Sequence, residues 1–344
     1  MKISLCIPQY NRIQYLLKNL SIMAEQTYQN IEVTISDDAS TDNTEEEIGL
    51  LVKTYKYPII YYRQPLNVGY DANLRKSLEL ATGDYCMVMG NDDTLQGADG
   101  IERLVEFLKN SNRPEIGFCN YSEYHSPDIP IVRASSSRVV GAGVEIALRY
   151  YRSFSFVGGI ILRKDTFDAV NTNKVDGSVY VQMYFAARII ANEGRMFMYE
   201  PCLVLKDICL NGSMANSYRD KLMKNWIDLK PIDGGLKQVV RAVLEGFKDA
   251  GVNIKQVSYK VIKNIYQFTY PFWLLDYRSN GSFVGAVGMM QGLKPSGIPQ
   301  LQNLSLLEKV KLSILYYIST VIGFLLPVFI FNRLKIRIYK QLKK

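Results

Sequence analysis

Gly83-Asp84-Tyr85-Cys86-Met87-Val88-Met89-Gly90-Asn91-Asp92-Asp93 is a short apolar run that stops abruptly in two adjacent acids. It reads as a strand buried in a sheet, delivering carboxylates to its C-terminal edge. In an open α/β sheet ligands bind at that edge, and hard oxygen donors there suit a Mg2+ or Mn2+ ion bridging a diphosphate. The competing reading is an ordinary turn, with Asp93 or Thr94 capping the helix that follows. The surrounding chain decides between the two.

Outward from this strand the pattern alternates. Ile3 to Ile7, Ile31 to Ser36, Ile59 to Arg63 and Asp84 to Met89 read as strands, separated by helical periodicity over Arg12 to Glu25, Thr44 to Tyr55 and Asp71 to Ala81. Strands spaced by such helices imply βαβ units and a mostly parallel, right-handed sheet. The strands are nearly all apolar, as parallel strands covered on both faces must be. Gln96 to Lys109 then reads as a helix and Ile116 to Tyr124 as a strand, and Ser126 to Ser137 is Pro- and Ser-rich and reads as a surface loop. Gly158 to Arg163 and Met196 to Lys206 read as strands flanking a helix over Val179 to Asn192, and this α/β region is expected to end near residue 215.

The 344 residues are 48% hydrophobic and 22% charged, a composition with enough apolar material for a packed core. Five cysteines (6, 86, 119, 202 and 209), odd in number and sparsely spaced, suit small apolar packing residues in a reducing compartment and predict no disulfide. The first strand begins at Ile3 and is too short for the apolar part of a signal peptide, so the N-terminal region is expected to stay cytosolic. The net charge is +8, and residues 309–344 alone hold eight Lys or Arg and no acid. The rest is near neutral, which argues against a nucleic-acid binder with a basic footprint on a folded face.

Beyond residue 215, Arg219 to Lys230, Gly235 to Ala250, Asn253 to Leu275 and Ser305 to Lys344 are helical by periodicity. Leu312 to Phe331 is uncharged over 20 residues, long enough to cross a hydrocarbon core, but it contains Pro327. Spanning would carry the basic tail to the far side, against the positive-inside bias. A re-entrant or in-plane helix on an anionic membrane surface fits better, the alternative being a buried core or dimer helix. The expected organisation is residues 1–215 as a catalytic domain (a nucleotide half over about 1–125, an acceptor half over about 126–215) and 216–344 as a helical region with a membrane-associating segment, 309–344.

Three more features end predicted strands. Pro8-Gln9-Tyr10-Asn11-Arg12 offers a stiff exit and a ring for a base or sugar. Ser36-Asp37-Asp38-Ala39-Ser40-Thr41-Asp42 offers carboxylates to a base N–H or a ribose hydroxyl. Asn67-Val68-Gly69, ahead of a helix containing Asn73, offers an amide and a permissive glycine. Singly these are caps and turns. In this order they resemble the motifs of the family 2 glycosyltransferases of the GT-A fold: Pro-x-Tyr-Asn-Arg, Asp-Asp-x-Ser-x-Asp, Asn-x-Gly and an acidic pair. The likeness is close over residues 2–125 and loose over 126–215.

The resemblance implies a Rossmann-like sheet and inverting transfer of a sugar from a nucleotide diphosphate to an acceptor hydroxyl. It implies that Pro8, Tyr10, Arg12, Asp37, Asp38, Asn67, Asn73 and Asn91 face the nucleotide and that Asp92, supported by Asp93, holds Mg2+ or Mn2+. The chain is most similar in look to bacterial O-antigen enzymes of the abequosyltransferase type. That implies a polyprenyl-linked saccharide acceptor at the cytoplasmic face of the inner membrane.

Three departures stand out. Gly90-Asn91 occupies the place of the family's first metal-motif acid, so Asp92 carries more of the coordination. Counted back from Arg188, the family's Glu-Asp base pair falls on Val181-Gln182, and glutamine accepts no proton at neutral pH. Asp176 is the substitute base, with Glu123, Glu193 and His125 behind it. Where relatives supply a histidine to the metal, Asp207 or Asn211 is the replacement, and Lys206 and Arg219 are candidate diphosphate partners. A non-catalytic, membrane-associated nucleotide-sugar binder is the rival reading. A nucleotidyltransferase is disfavoured, because Gln9 to Gln14 holds no glycine for a phosphate loop.

Overall fold

The computed structural model describes residues 1–210, 213–214 and 235–342, and the chain divides into two compact units, Met1–Ala215 and Asn216–Lys344. In the first unit the strands are β1 (Ile3–Gln9), β2 (Ile31–Asp37), β3 (Ile59–Arg63), β4 (Tyr85–Val88), β5 (Thr94–Leu95), β6 (Ile116–Glu123), β7 (Ser126–Ile131), β8 (Arg138–Gly141), β9 (Ile160–Arg163) and β10 (Met196–Lys206). The main path runs β3-β2-β1-β4-β9-β6-β10-β5. β1, β2, β3 and β4 are parallel, β9 runs against both β4 and β6, and β10 returns parallel to β6. The helices are α1 (Ile13–Met23), α2 (Thr44–Leu51), α3 (Tyr70–Glu79), α4 (Gly100–Asn110), α5 (Val144–Tyr150), α6 (Lys164–Val170) and α7 (Val181–Ala191).

This mostly parallel sheet matches the expected architecture, and its order locates the ligand edge. From β1 the chain winds outward through β2 to β3, then crosses back so that β4 pairs on the other side of β1. The crevice opens where the winding reverses, beyond the C-terminal ends of β1 and β4. Residues 9–12 and 89–93 leave the sheet there.

Two boundaries in this unit differ from the sequence reading for physical reasons. The helix expected from Gln96 begins at Gly100, because Thr94 and Leu95 pair antiparallel with Leu205 and Val204 of β10. Neither Asp93 nor Thr94 caps that helix. The loop expected over Ser126 to Ser137 contains β7, whose ends pair with Tyr121 and Glu123 of β6. Its prolines are tolerated because the strand lies off the main path with its middle exposed. Within the same stretch Arg133 is buried, its guanidinium donating to the carbonyls of Cys119 (2.6 Å), Phe156 (2.8 Å) and Gly158 (2.5 Å).

The second unit is helical: α8 (Leu236–Asp249), α9 (Ile254–Asn264), α10 (Tyr270–Ser279), α11 (Phe283–Gly292), α12 (Leu306–Leu325) and α13 (Val328–Leu342). The helix expected over Arg219 to Lys230 lies outside the described residues. The long helix expected from Asn253 widens to a π-turn over Ile265–Thr269 just before Pro271, whose ring nitrogen has no proton to continue the α ladder. That expected from Ser305 breaks at Pro327.

The β6–β10 pairing depends on one close approach. A Cβ on Gly117 would lie 2.4 Å from the Phe197 carbonyl oxygen. Gly117→Ala is expected to cost about 3 kcal/mol through forced backbone movement, lowering Tm by about 6–12 °C in a thermal melt.

Candidate active site

Gln9, the last residue of β1, is fully buried and joins the loops around the crevice. Its carbonyl accepts from the Asp38 N–H (2.9 Å) and Asn73 Nδ2 (2.9 Å). Its Oε1 accepts from Asn91 Nδ2 (2.8 Å), and its Nε2 donates to the Asn11 carbonyl (2.6 Å) and Thr44 Oγ1 (3.1 Å). Every group in this set lies in or beside a motif picked out in the sequence, yet Gln9 itself was not picked out. A long polar side chain closing an apolar strand was the available signal.

The chain then turns through two consecutive left-handed residues, Asn11 (φ 53°) and Arg12 (φ 62°). Asn11 is suited to this conformation and is fixed by Ser40 Oγ, which accepts its N–H (2.8 Å), and by Thr41 N, which donates to its Oδ1 (2.8 Å). The turn leaves the Tyr10 ring 45% exposed and Pro8 half-buried, and it aims Arg12 at Asp92: Nη1 to Oδ2 is 2.6 Å.

Of the carboxylates ending β2, Asp37 is fully buried and accepts from Ser40 N (3.0 Å) and the Tyr61 hydroxyl (2.7 Å). Asp38 accepts from the backbone N–H groups of Val68 (2.6 Å) and Gly69 (3.0 Å), and Asn67 Nδ2 reaches the Asp38 carbonyl at 3.3 Å. The structure thus draws Asp37, Asp38, Asn67 and Gly69 together as a scaffold. Gly69 (φ 86°) gives the turn its left-handed residue and leads into α3. There Asn73 Oδ1, Tyr70 OH and, at the end of β2, Ser36 Oγ are buried and without hydrogen-bond partners. Buried polar atoms are nearly always satisfied, so these three have hydrogen-bonding capacity left over beside the sheet edge. Tyr70 escaped the sequence reading. Burial pushes its phenol upward, with Asp71, Asp93 and Asp92 adding to the effect, which keeps it a donor.

Asp92 and Asp93 converge beside Gly90. A Cβ built on Gly90 would lie 2.7 Å from Asp93 Oδ2 and 3.1 Å from Asp92 Oδ1. The two carboxylates of the acidic pair therefore fill the space that a side chain at the family's first acid position would need. Gly158 backs Asp93 in the same way, its Cβ direction passing 2.8 Å from Oδ2, and Arg133 holds the Gly158 carbonyl in place. From the end of β10, the Asp207 N–H donates to Asp93 Oδ1 (3.3 Å) and the Ile208 N–H to the Asp92 carbonyl (2.7 Å). Lys206 bridges Asp207 (2.8 Å) and Glu123 (2.9 Å). Burial pushes both Asp92 and Asp93 upward, Asp207 adds to each, and Arg12 opposes the shift at Asp92. No cluster of three or more His, Cys, Asp or Glu with metal-binding geometry occurs among the described residues. Two convergent carboxylates still suit Mg2+ or Mn2+, which take one or two protein carboxylates and complete their shell with water and phosphate oxygens. Asn211 and Arg219 lie outside the described residues.

Asp176 does not stand alone. Arg75 of α3 grips it with two parallel bonds, Nε to Oδ1 at 3.0 Å and Nη2 to Oδ2 at 2.6 Å. Asp71, one turn earlier, accepts from the N–H groups of Val179 (2.7 Å) and Val181 (3.1 Å). Val179 is left-handed (φ 67°), a costly state for a β-branched residue, and Asp71 is what holds it. Gln182, in the register of the family's base, is 4% exposed and lines an internal cavity with Leu74, Val88, Ile160 and Phe185. Of the other candidate bases, Glu123 pairs with Lys206, His125 is exposed in the β6–β7 turn, and Glu193 lies in the turn after α7.

Residues 4–168 match the model of Glycosyl transferase family 2. The first unit thus carries a family 2 glycosyltransferase domain, on the sheet that the GT-A relatives share. Among individual proteins, the chain is 34% identical over 215 residues to Abequosyltransferase RfbV of Salmonella typhimurium, a match over 58% of this chain and 64% of that protein. The chain spans less than two thirds of the length of the curated relatives it first matches. Among solved structures, Staphylococcus aureus TarS 1-349 in complex with UDP-GlcNAc superposes with TM-score 0.61 at 14% identity, covering all of this chain and 90% of that one. The mannosyltransferase PcManGT of Pyrobaculum calidifontis, in complex with GDP-Man and Mn2+, gives 0.51 at 15% identity over 94% and 87%. At such identities the structures establish the fold.

Because Asp93 is shifted upward, its ionised form destabilises the fold, by an amount that grows as pH rises above the unfolded carboxylate value of about 3.9 and levels off above the folded one. Metal-free Asp93→Asn is therefore expected to melt higher than the parent at pH 8, with the gap closing toward pH 4. Parallel thermal melts across that range check it.

Proposed function

We propose that the chain is an inverting glycosyltransferase that moves a sugar from a nucleotide-diphosphate donor to a polyprenyl-linked saccharide at the cytoplasmic face of the inner membrane, in bacterial surface polysaccharide (O-antigen) synthesis. The observation that carries this reading is the convergence of Asp92, Asp93 and Arg12 at the β1/β4 switch point of a family 2 domain. Likeness to an abequosyltransferase supports the choice of pathway, and the basic, apolar C-terminal segment supports attachment to a membrane surface where such an acceptor resides.

In this reading Asp92 and Asp93 hold Mg2+ or Mn2+, which when bound offsets the charge of the departing diphosphate. Tyr10 presents its exposed ring to the base or sugar. Arg12 sits where it can pair with either Asp92 or a phosphate. Pro8, Asp37, Asp38 and Asn67 shape the nucleotide pocket, and Asn73, Asn91 and Tyr70 turn amide or hydroxyl groups toward its edge. Asp176 takes the proton of the acceptor hydroxyl once it leaves Arg75.

Thermal shift with UDP, CDP, dTDP and GDP, each with and without Mn2+, tests donor binding. The preferred nucleotide at about 100 times its Kd adds about 2.7 kcal/mol of stability, and Asp92→Ala is expected to erase the Mn2+-dependent part together with sugar transfer. A shift that survives in Asp92→Ala would remove that residue from the site.

The rival, a nucleotide-sugar binder without turnover, is favoured by one specific observation: Gln182 stands at the base register and Asp176 is tied to Arg75. Asp176→Asn separates the two readings. For the enzyme, kcat falls about 100-fold or more while donor binding is unchanged. For a scaffold, Asp176→Asn and Arg75→Ala each lower Tm and their effects do not add.

A further inference from the structure

We propose that the second unit is an in-plane membrane seat: α12 lies lengthwise in the interface of an anionic bilayer, and the elbow after it is locked so that α12 and α13 do not straighten into a span. This rests on the membrane attachment proposed above and specifies its manner.

α12 is two-faced. Leu312, Tyr316, Ser319 and Gly323 are buried, at helical spacing along one side. Leu307, Val310, Ile314, Ile318, Val321 and Leu325 recur along the other side and are exposed, Ile314 by 54% and Leu325 by 75%. A continuous apolar stripe of this length on a protein surface marks an interaction face. Glu308, Lys309 and Lys311 confine the uncharged part to residues 312–325, about 21 Å of helix, which falls short of a hydrocarbon core of about 30 Å. No single described helix is long and apolar enough to cross a membrane, and only the bent pair of α12 with the start of α13 has the length and composition.

That pair is bent by 100°, and three sets of contacts fix the bend. Arg278 of α10 donates through Nη1 to the carbonyls of Gly323 (2.6 Å) and Leu326 (3.0 Å), the last acceptors of α12. Lys335 of α13 pairs with the buried Asp276 at 2.5 Å. Phe331, just past Pro327, is fully buried with Phe272 and Leu275. Straightening would pull Lys335 from a carboxylate in apolar surroundings and uncover an aromatic ring. The occupant follows from charge. Residues 309–344, which follow Glu308 in the chain, hold eight bases and no acid, a balance that attracts anionic headgroups and disfavours pairing with a second copy of the chain.

Flotation of the full chain with phosphatidylglycerol/phosphatidylethanolamine vesicles, against pure phosphatidylcholine vesicles, tests the seat. Binding is expected to be about tenfold or more weaker on the neutral vesicles and to be lost in Ile314→Glu/Val321→Glu, with circular dichroism unchanged. Leu307→Gln/Leu325→Gln, at the exposed ends of the stripe, is the second variant should the first misfold. Equal binding to both vesicle types overturns the proposal, as does vesicle binding that survives while the variants change the oligomeric mass, which would assign the stripe to a second copy. With Cys202 and Cys209 replaced by Ser, Asn303→Cys and Asn332→Cys are both expected to react with an impermeant thiol reagent added outside the vesicles. Protection of Asn332→Cys alone would mean a span. These readouts do not involve nucleotide, so a seat without donor binding would leave this inference standing and remove the transferase reading.

Discussion

Like charge held at one strand end is the constraint around which the first unit is built. Asp92 and Asp93 leave β4 into a space already shared with Asp207 from the end of β10, and burial raises the cost of ionising either of the pair. Two cations offset this, each delivered by a different device. Arg12 arrives through a left-handed turn at the end of β1, and Lys206 sits on the last position of β10. The backbone N–H groups of Asp207 and Ile208 then hold the acids from the far side. A site that concentrates carboxylates in this way is poised for a cation or for the phosphates that accompany one.

Gln9 explains how loops separated in sequence keep one geometry. It bonds to the loop after β2, to α3, to the loop after β4 and to the start of α2, all from the end of the central strand. Because parallel pairing fixes Gln9 against Asp37 and Cys6 against Val88, a shift in any of these loops would have to break a buried hydrogen bond with no water to replace it. The rigidity of these loops is thus a consequence of strand register rather than of the loops themselves.

What could be read from the residues follows the same physics. β4 is apolar throughout, β1 nearly so, and β2 alternates Ile31, Val33 and Ile35 with Glu32, Thr34 and Ser36, so length and pattern identify all three without tertiary information, and the edge motifs follow in order. The short β5 is invisible because two residues carry no periodicity, and it exists only through pairing with β10. β7 and Arg133 were hidden by proline and serine, which signal a loop unless the partner strand is known. Gln9 and Tyr70 act through burial and through the atoms they face, neither of which a single sequence shows. The distinction between a carboxylate that lines a ligand and one that holds a loop, as Asp37 and Asp38 do, also needs the third dimension.

The position of Gln182 bears on the proposed choice of Asp176 as base. At that register on α7 the side chain turns into a cavity walled by Leu74, Val88, Ile160 and Phe185, and an acid there would be buried among apolar groups rather than presented at the edge of the sheet. A glutamine costs less in that place than a charge would. The carboxylate nearest in sequence lies in the segment before the helix, where Asp71 and Arg75, one turn apart on α3, fix Asp176, Ser178 and Val179. The left-handed Val179 is the strained element in that segment, and strain of this kind persists only where neighbouring bonds over-determine it. Since α3 also carries Tyr70 and Asn73, one helix holds both the end of β1, through Asn73, and the segment before α7, through Asp71 and Arg75. On the proposed reading, placement of donor and acceptor relative to each other would then rest on α3 rather than on α7.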